Sequence, residues 1–182
     1  RSSAASDVYK RQRLPMIKIL TDNDASQFKK LMTEAYQNDP LTFLHEFNTP
    51  PEITDEEIHN LLNPENQNTN LVFGAFQDET LVGFLQLYHS QHITKKHKAF
   101  IQSLYVTPQY RDESLAHQLI DAFIQYAKNH GIENIMVSVA SNNITAKVFF
   151  DKIGFEFLGL EEKARKIDDH YIEEHWLIYY TC

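Results

Sequence analysis

The stretch Leu104-Tyr105-Val106-Thr107-Pro108-Gln109-Tyr110-Arg111-Asp112-Glu113-Ser114-Leu115-Ala116-His117-Gln118-Leu119 decides the fold. Its first three residues close an apolar run, Ala99–Val106, with the character of a strand. Thr107-Pro108 break that run, because proline has no N–H to give to a ladder and restrains the residue before it. Leu115, Leu119, Ala122, Phe123 and Tyr126 then fall on one face of a helix spanning Leu115–His130, and Gly131 supplies its stop. Asn134–Ala140 (Asn-Ile-Met-Val-Ser-Val-Ala) reads as a buried strand. A strand–helix–strand unit over 99–139 crosses right-handed. That places the loop Thr107–Ser114 at the C-terminal end of a central strand, where α/β folds hold their ligands.

Outward from this unit the other elements follow. On the N-terminal side, Met16–Leu20 is a short strand, and Thr21-Asp22-Asn23-Asp24 offers cap chemistry before Phe28, Leu31, Met32, Ala35 and Tyr36 recur at helical spacing. Asn38-Asp39-Pro40 ends that helix. Thr54-Asp55-Glu56-Glu57 opens another, carrying Ile58, Leu61 and Leu62, and Glu65–Asn70 is a polar turn. Leu71–Phe76 and Leu81–Tyr88 form a hairpin around Gln77-Asp78-Glu79-Thr80. On the C-terminal side, Ile144–Ile153 is a helix closed by Gly154, and Phe155–Leu160 and Tyr171–Tyr180 are strands around Asp168-Asp169-His170. The expected class is α/β: a mixed central sheet with helices on both faces, in the order β-α-α-β-β-β-α-β-α-β-β.

Composition narrows what such a domain does. Among 182 residues there is one cysteine, Cys182, so no disulfide framework and no thiolate metal cluster is expected, and a reducing, cytoplasmic location is. The longest apolar runs fall far short of the ~20 residues a spanning helix needs, so no membrane partner is expected. Seventeen Lys+Arg against twenty-five Asp+Glu give a net charge of −8, which argues against nucleic acid. Residues 1–15 stand apart, with four cations, one acid and no period. Ser2–Gln12 looks like the in-frame translation of a sequencing adaptor. We expect residues 1–15 to be a non-native or disordered leader, an adaptor-derived artefact, with Met16 the native start and 16–182 one domain. Without the leader the net charge is −11.

Two motifs then carry a resemblance. Leu104–Leu119 and Asn143-Ile144-Thr145-Ala146-Lys147-Val148-Phe149-Phe150-Asp151-Lys152-Ile153-Gly154-Phe155 resemble, in order and spacing, the two signatures of the GCN5-related N-acetyltransferases (GNAT). The order of elements over Met16–Thr181 is similar as well. The resemblance implies that acetyl-CoA is the acyl donor, that no metal takes part, and that a primary amine, on a small cationic molecule or a peptide, accepts the acetyl group in a ternary complex. It implies backbone contacts to pantetheine at Leu104, Tyr105 and Val106. The pyrophosphate site would be built by Arg111, Asp112, Glu113, Ser114, Leu115, Ala116 and His117, where free N–H groups and the helix dipole favour an anion. Phe150 and Lys152 also fall on the cofactor side. Asn143 would orient the pantetheine arm, or serve as a helix N-cap, and the two readings are compatible. Val148, Phe149 and Phe155 read as packing.

The chain departs from the family pattern at three places. Ser114 stands where the family's phosphate turn has glycine, with Asp112 and Glu113 beside it. Phe150 stands where many relatives have a tyrosine that protonates the departing thiolate; a thiol of pKa ~8.5 leaves tolerably without it. Gln102-Ser103 replace an acidic pair, so Gln102 positions a water and does not take a proton. The rival reading is a catalytically degenerate GNAT-fold binding or interaction module with an impaired coenzyme site. His89, His92 and His97 share a loop with no acidic or thiol ligand at useful spacing, so no metal is expected there. His170 and His175 flank the last hairpin. Residues 16–70 hold ten acids and three lysines, which either steer a cationic amine or form a solvated face. C-terminal edge strands permit a homodimer.

Overall fold

Seven strands form one sheet in the order β1-β2-β3-β4-β5-β7-β6. They are β1 (Met16–Ile19), β2 (Asn70–Gln77), β3 (Thr80–His89), β4 (Lys98–Val106), β5 (Asn134–Ala140), β6 (Glu156–Ile167) and β7 (His170–Tyr180). The helices are α1 (Ala25–Asn38), α2 (Asp55–Leu62), α3 (Leu115–Asn129) and α4 (Ile144–Ile153). The computed structural model describes residues 14–39, 42 and 52–182, except for the side chains of Asp112 and Glu113. The expected leader lies outside the described residues save for Leu14 and Pro15, as does Pro40.

The order of elements is the expected one, and every neighbouring pair in the sheet is antiparallel except β4 and β5. The α/β class with helices on both faces therefore stands. Alternation on β2 shows why two layers form. Leu71, Phe73 and Ala75 belong to a core with Leu119, Ile120 and Phe123 of α3, whereas Val72 and Phe76 belong to a second core with Phe28, Leu31 and Met32 of α1 and Ile58 and Leu62 of α2. A period-two strand buries both faces only if each face meets a helix layer.

Helix ends follow the local chemistry. Thr54 Oγ1 accepts from the Glu57 N–H at 3.2 Å and Glu57 Oε2 accepts from the Thr54 N–H at 3.0 Å, a reciprocal capping box that starts α2. Gly131 and Gly154, at φ 70° and 115°, end α3 and α4 in the left-handed region that glycine enters without a Cβ penalty. The two hairpin turns run through Asp78-Glu79 and Asp168-Asp169, all four at positive φ, as a two-residue turn between twisted strands requires.

Two expectations are corrected. The strand expected over Phe155–Leu160 is much longer, because Glu161–Ile167 continues it as an edge strand. Its polar residues other than the buried Arg165 face solvent on an edge, and the register slips between Glu161 and Arg165, with Lys163 at φ 53° taking up the bend. Val148 does not pack: it is 46% exposed. The buried stripe of α4 is Ala146, Phe149, Phe150 and Ile153, the i, i+3, i+4, i+7 set, and Val148 lies off it.

Candidate functional site

The site originates in a break in the sheet. β4 and β5 pair in parallel from Lys98↔Asn134 to Ile101↔Val137 and no further. Beyond that point β4 stays with β3, out to Val106↔Gly83, while β5 stays with β7, out to Ala140↔Glu174. The cause is visible in the β3–β4 register, which steps from Gln86↔Ser103 to Leu87↔Ile101 and so leaves Gln102 as an unpaired extra residue. A bulge bends its strand and adds twist. The two parallel strands therefore diverge from Gln102 onward, and the edges of Gln102–Val106 and Ser138–Ala140 that face each other carry no ladder.

Between them lies a cleft of about 330 Å³, within the range that small-molecule sites occupy. Gln102, Leu104, Tyr105, Val106 and Arg111 line one wall, with Ala116 at the start of α3. Asn143 and Phe150 of the second motif line the opposite wall. Four other residues singled out from the sequence are placed differently. Ser114 is exposed, Leu115 is fully buried in the core, and His117 is exposed with Nε2 3.4 Å from Asp121 Oδ2. Lys152 is exposed in the last turn of α4 and does not line the cleft. Leu115 can offer the cleft only backbone groups. The side chains of Asp112 and Glu113 lie outside the described residues.

The turn between β4 and α3 is a 3₁₀ segment, Pro108–Glu113, and Ser114 follows it at φ 60°, ψ 20°. This is the left-handed conformation that favours glycine, held here by serine. The Ser114 hydroxyl makes no capping hydrogen bond to α3, and the first N–H groups of any helix have no partner within it. Arg111 folds back over this end: its Nε donates to the Val106 carbonyl at 2.9 Å. Asn143 Oδ1 accepts from the Ala146 N–H at 3.2 Å, so this residue caps α4 while facing the cleft.

Several side-chain contacts at the site escaped the sequence reading, which names Tyr105 for its backbone and Ser103 only as a departure. Tyr105, 2% exposed, donates its hydroxyl to Glu34 Oε2 at 2.7 Å and accepts from Asn38 Nδ2 at 3.0 Å. Burial, reinforced by the Glu34 carboxylate, raises the Tyr105 phenol above its ordinary pKa. Ser103 Oγ donates to Gln86 Oε1 at 3.1 Å. Arg165 of β6 lines the cleft and is paired twice with Glu174 of β7, at 3.0 and 3.1 Å, with both side chains buried. Asp39, half-buried at the end of α1, is the one carboxylate among the described cleft-lining residues. Glu34 and Asn38 stand i, i+4 on α1, one turn apart on one face, but nothing local marks that pair as partners of Tyr105. Nothing local marked Arg165 or Glu174.

The histidines lie elsewhere. His89 Nε2 sits 2.6 Å from the Lys96 carbonyl and His92 Nδ1 2.7 Å from Thr94 Oγ1. His170 and His175 do not line the cleft, and the His175 ring packs edge-on against Phe157. Among the described residues no three His, Cys, Asp or Glu side chains are grouped to hold a metal, and no helix is long and apolar enough to cross a membrane.

Comparison with known proteins adds three kinds of likeness. The model of the acetyltransferase (GNAT) domain matches residues 17–176. An N-acetyltransferase from Staphylococcus aureus Mu50 is 33% identical, with a TM-score of 0.72 over 92% of this chain and 98% of that one. A phosphinothricin acetyltransferase from Sinorhizobium meliloti, solved in complex with acetyl-CoA, shares the fold at a TM-score of 0.76, with 13% identity over 91% of this chain and 88% of that one. Streptothricin acetyltransferase from Escherichia coli is 29% identical over 89 residues, which are 49% of each chain. This chain thus matches about half the length of that curated relative.

Proposed function

This chain belongs to the GNAT family of acetyltransferases, and we propose that it transfers the acetyl group of acetyl-CoA to a primary amine carried by a cationic acceptor, in a ternary complex. The observation that carries the reading is the divergence of β4 from β5 after Ile101 and Val137. It leaves two facing strand edges with no ladder between them, open to an extended, amide-bearing chain, and the first turn of α3 stands at its end for an anion.

The residues present fit the donor. The edge of β4 beyond Ile101, which has no ladder to β5, supplies backbone groups for the pantetheine amides, and Leu104 and Phe150 line the arm. Arg111, with the N–H groups of Leu115, Ala116 and His117, faces the pyrophosphate end, where Ala116 keeps the approach open. Asn143 is already fixed by its bond to the Ala146 N–H and needs no reordering to border the arm. When bound, acetyl-CoA supplies a thioester whose carbonyl carbon is attacked by the amine, so that a C–N bond forms, the C–S bond breaks and thiolate leaves.

The protein's part is to bring a neutral amine to that carbon. An amine of pKa ~10.4 costs roughly 4 kcal/mol to deprotonate at pH ~7.4, at 1.36 kcal/mol per unit. Gln102, exposed at the bulge, positions a water that relays the proton outward. Asp39 attracts the acceptor's ammonium. Arg165 adds little opposing field, because Glu174 neutralises it at 3.0 Å. Phe150 offers no proton to the leaving thiolate, so the rate rests on proximity and orientation, which well-placed reactants convert into factors of many powers of ten.

The test is isothermal titration of acetyl-CoA into the protein, followed by release of free thiol in the presence of a panel of mono-, di- and polyamines, aminoglycosides and lysine peptides. Micromolar binding and turnover with cationic amines are expected. Absence of heat up to millimolar acetyl-CoA, with the protein folded, refutes the reading.

A further inference from the structure

Arg111 is held from two directions. Its Nε donates to the Val106 carbonyl at 2.9 Å, and its Cζ lies 5.6 Å from the centroid of the Tyr105 ring, over the face that attracts a cation. Tyr105 is itself tied to α1. Its hydroxyl donates to Glu34 Oε2 at 2.7 Å and accepts from Asn38 Nδ2 at 3.0 Å. Thr107 Oγ1 donates to the same Glu34 oxygen at 2.8 Å. One carboxylate on α1 thus grips both the end of β4 and the first residue of the turn that leads to α3. Glu34 does not line the cleft.

We propose that Glu34 and Tyr105 are positioning residues for the pyrophosphate end of acetyl-CoA: they hold the Arg111 guanidinium in place before the ligand arrives. This rests on the reading of the cleft given above. The chemistry is one of preorganisation. With Nε engaged by Val106, the η nitrogens of Arg111 are the donors that remain for phosphate oxygens, in the planar fork that suits them. A long side chain already fixed between a carbonyl and an aromatic face loses less freedom on binding than one ordered by the ligand. The hydroxyl of Tyr105 keeps the ring at the required tilt, and Glu34 keeps the hydroxyl. The same contacts tie α1, which ends at the acceptor-side Asp39, to the donor's far end. Acceptor-side and donor-side geometry therefore share one anchor.

The experiment uses two ligands, coenzyme A and S-acetylpantetheine, the second lacking the pyrophosphate. Their dissociation constants are measured by calorimetry and NMR titration for the wild type, Glu34→Ala, Glu34→Gln, Tyr105→Phe, Arg111→Ala and the double variant Glu34→Ala/Arg111→Ala. Glu34→Ala is expected to weaken coenzyme A about three- to tenfold and Tyr105→Phe about two- to threefold, with S-acetylpantetheine unchanged in both. Glu34→Gln, whose amide oxygen still accepts both hydroxyls, is expected within twofold of wild type. In the Arg111→Ala background the Glu34→Ala change should have no further effect. Equal losses for both ligands, additivity with Arg111→Ala, or no loss for Glu34→Ala overturn the proposal while leaving the donor reading intact. A wild type that binds neither ligand overturns the donor reading and this proposal with it.

Discussion

Ser114→Gly is the substitution whose effect the structure fixes most sharply. Ser114 sits at φ 60°, ψ 20°, between the 3₁₀ turn and α3. For an L-residue with a Cβ the left-handed region costs roughly 1–2 kcal/mol. Glycine removes that cost but gives back about 0.5–1 kcal/mol, because it loses more backbone freedom on folding. No capping bond is lost, since the Ser114 hydroxyl makes none to α3. The balance is a net stabilisation of about 0.5–1 kcal/mol, which in a domain of this size raises Tm by roughly 1–4 °C. A second consequence is independent of stability. Without a Cβ the turn allows a phosphate to come closer to its N–H groups, so acetyl-CoA should bind severalfold more tightly. Thermal unfolding and calorimetric titration read the two effects separately. A lower Tm would show that the left-handed conformation is not strained in this turn. A higher Tm with weaker acetyl-CoA binding would show that the serine hydroxyl donates to the phosphate.

Other outcomes follow from the same geometry. Asp39→Asn should raise KM for di- and polyamines about three- to tenfold while leaving KM for acetyl-CoA unchanged, and a uniform effect on both removes Asp39 from the acceptor side. Glu174→Ala leaves the Arg165 guanidinium buried without its carboxylate partner and should cost about 3–5 kcal/mol in urea unfolding. Phe84→Ala, at a side chain fully buried and edge-on to Phe28 at 5.2 Å, should cost a similar 3–5 kcal/mol. Tyr105 is an acid whose folded pKa lies above the ordinary 10.0, so its contribution is intact below that pH and is lost as pH rises through the folded value. Stability measured above pH 10 should therefore fall with pH, and less steeply in Tyr105→Phe than in the wild type.

What the sequence revealed and what it hid divide along the range of the interactions. Strands β2 to β5 and helices α3 and α4 were legible because each is written locally, in alternation, in helical spacing, and in the glycines at 131 and 154. The turn between β4 and α3 was legible for the same reason, as a strand, a breaker and a helix start within sixteen residues. The continuation of β6 was not, since Glu161–Ile167 has no apolar alternation and becomes strand only by pairing with β7. The Tyr105 tie lies further out of reach, because its partner Glu34 is 71 residues away along the chain. Alternation does indicate that Tyr105 points away from the face of Leu104 and Val106, toward α1. It carries no information about which of the acids on α1 and α2 stands opposite. A carboxylate is well placed only when tertiary packing brings it within hydrogen-bonding distance, and tertiary packing has no spacing rule. The same holds for Arg165 and Glu174, which meet only because the β6 bulge shifts the register between Glu161 and Arg165. Motif reading therefore finds the recurrent turn itself, through its local pattern of strand, breaker and helix start. The side chains proposed to position Arg111 and to receive the acceptor, Glu34 and Asp39, come from elements whose sequence offers them no signature, and it is there that members of one fold can differ in what they acetylate.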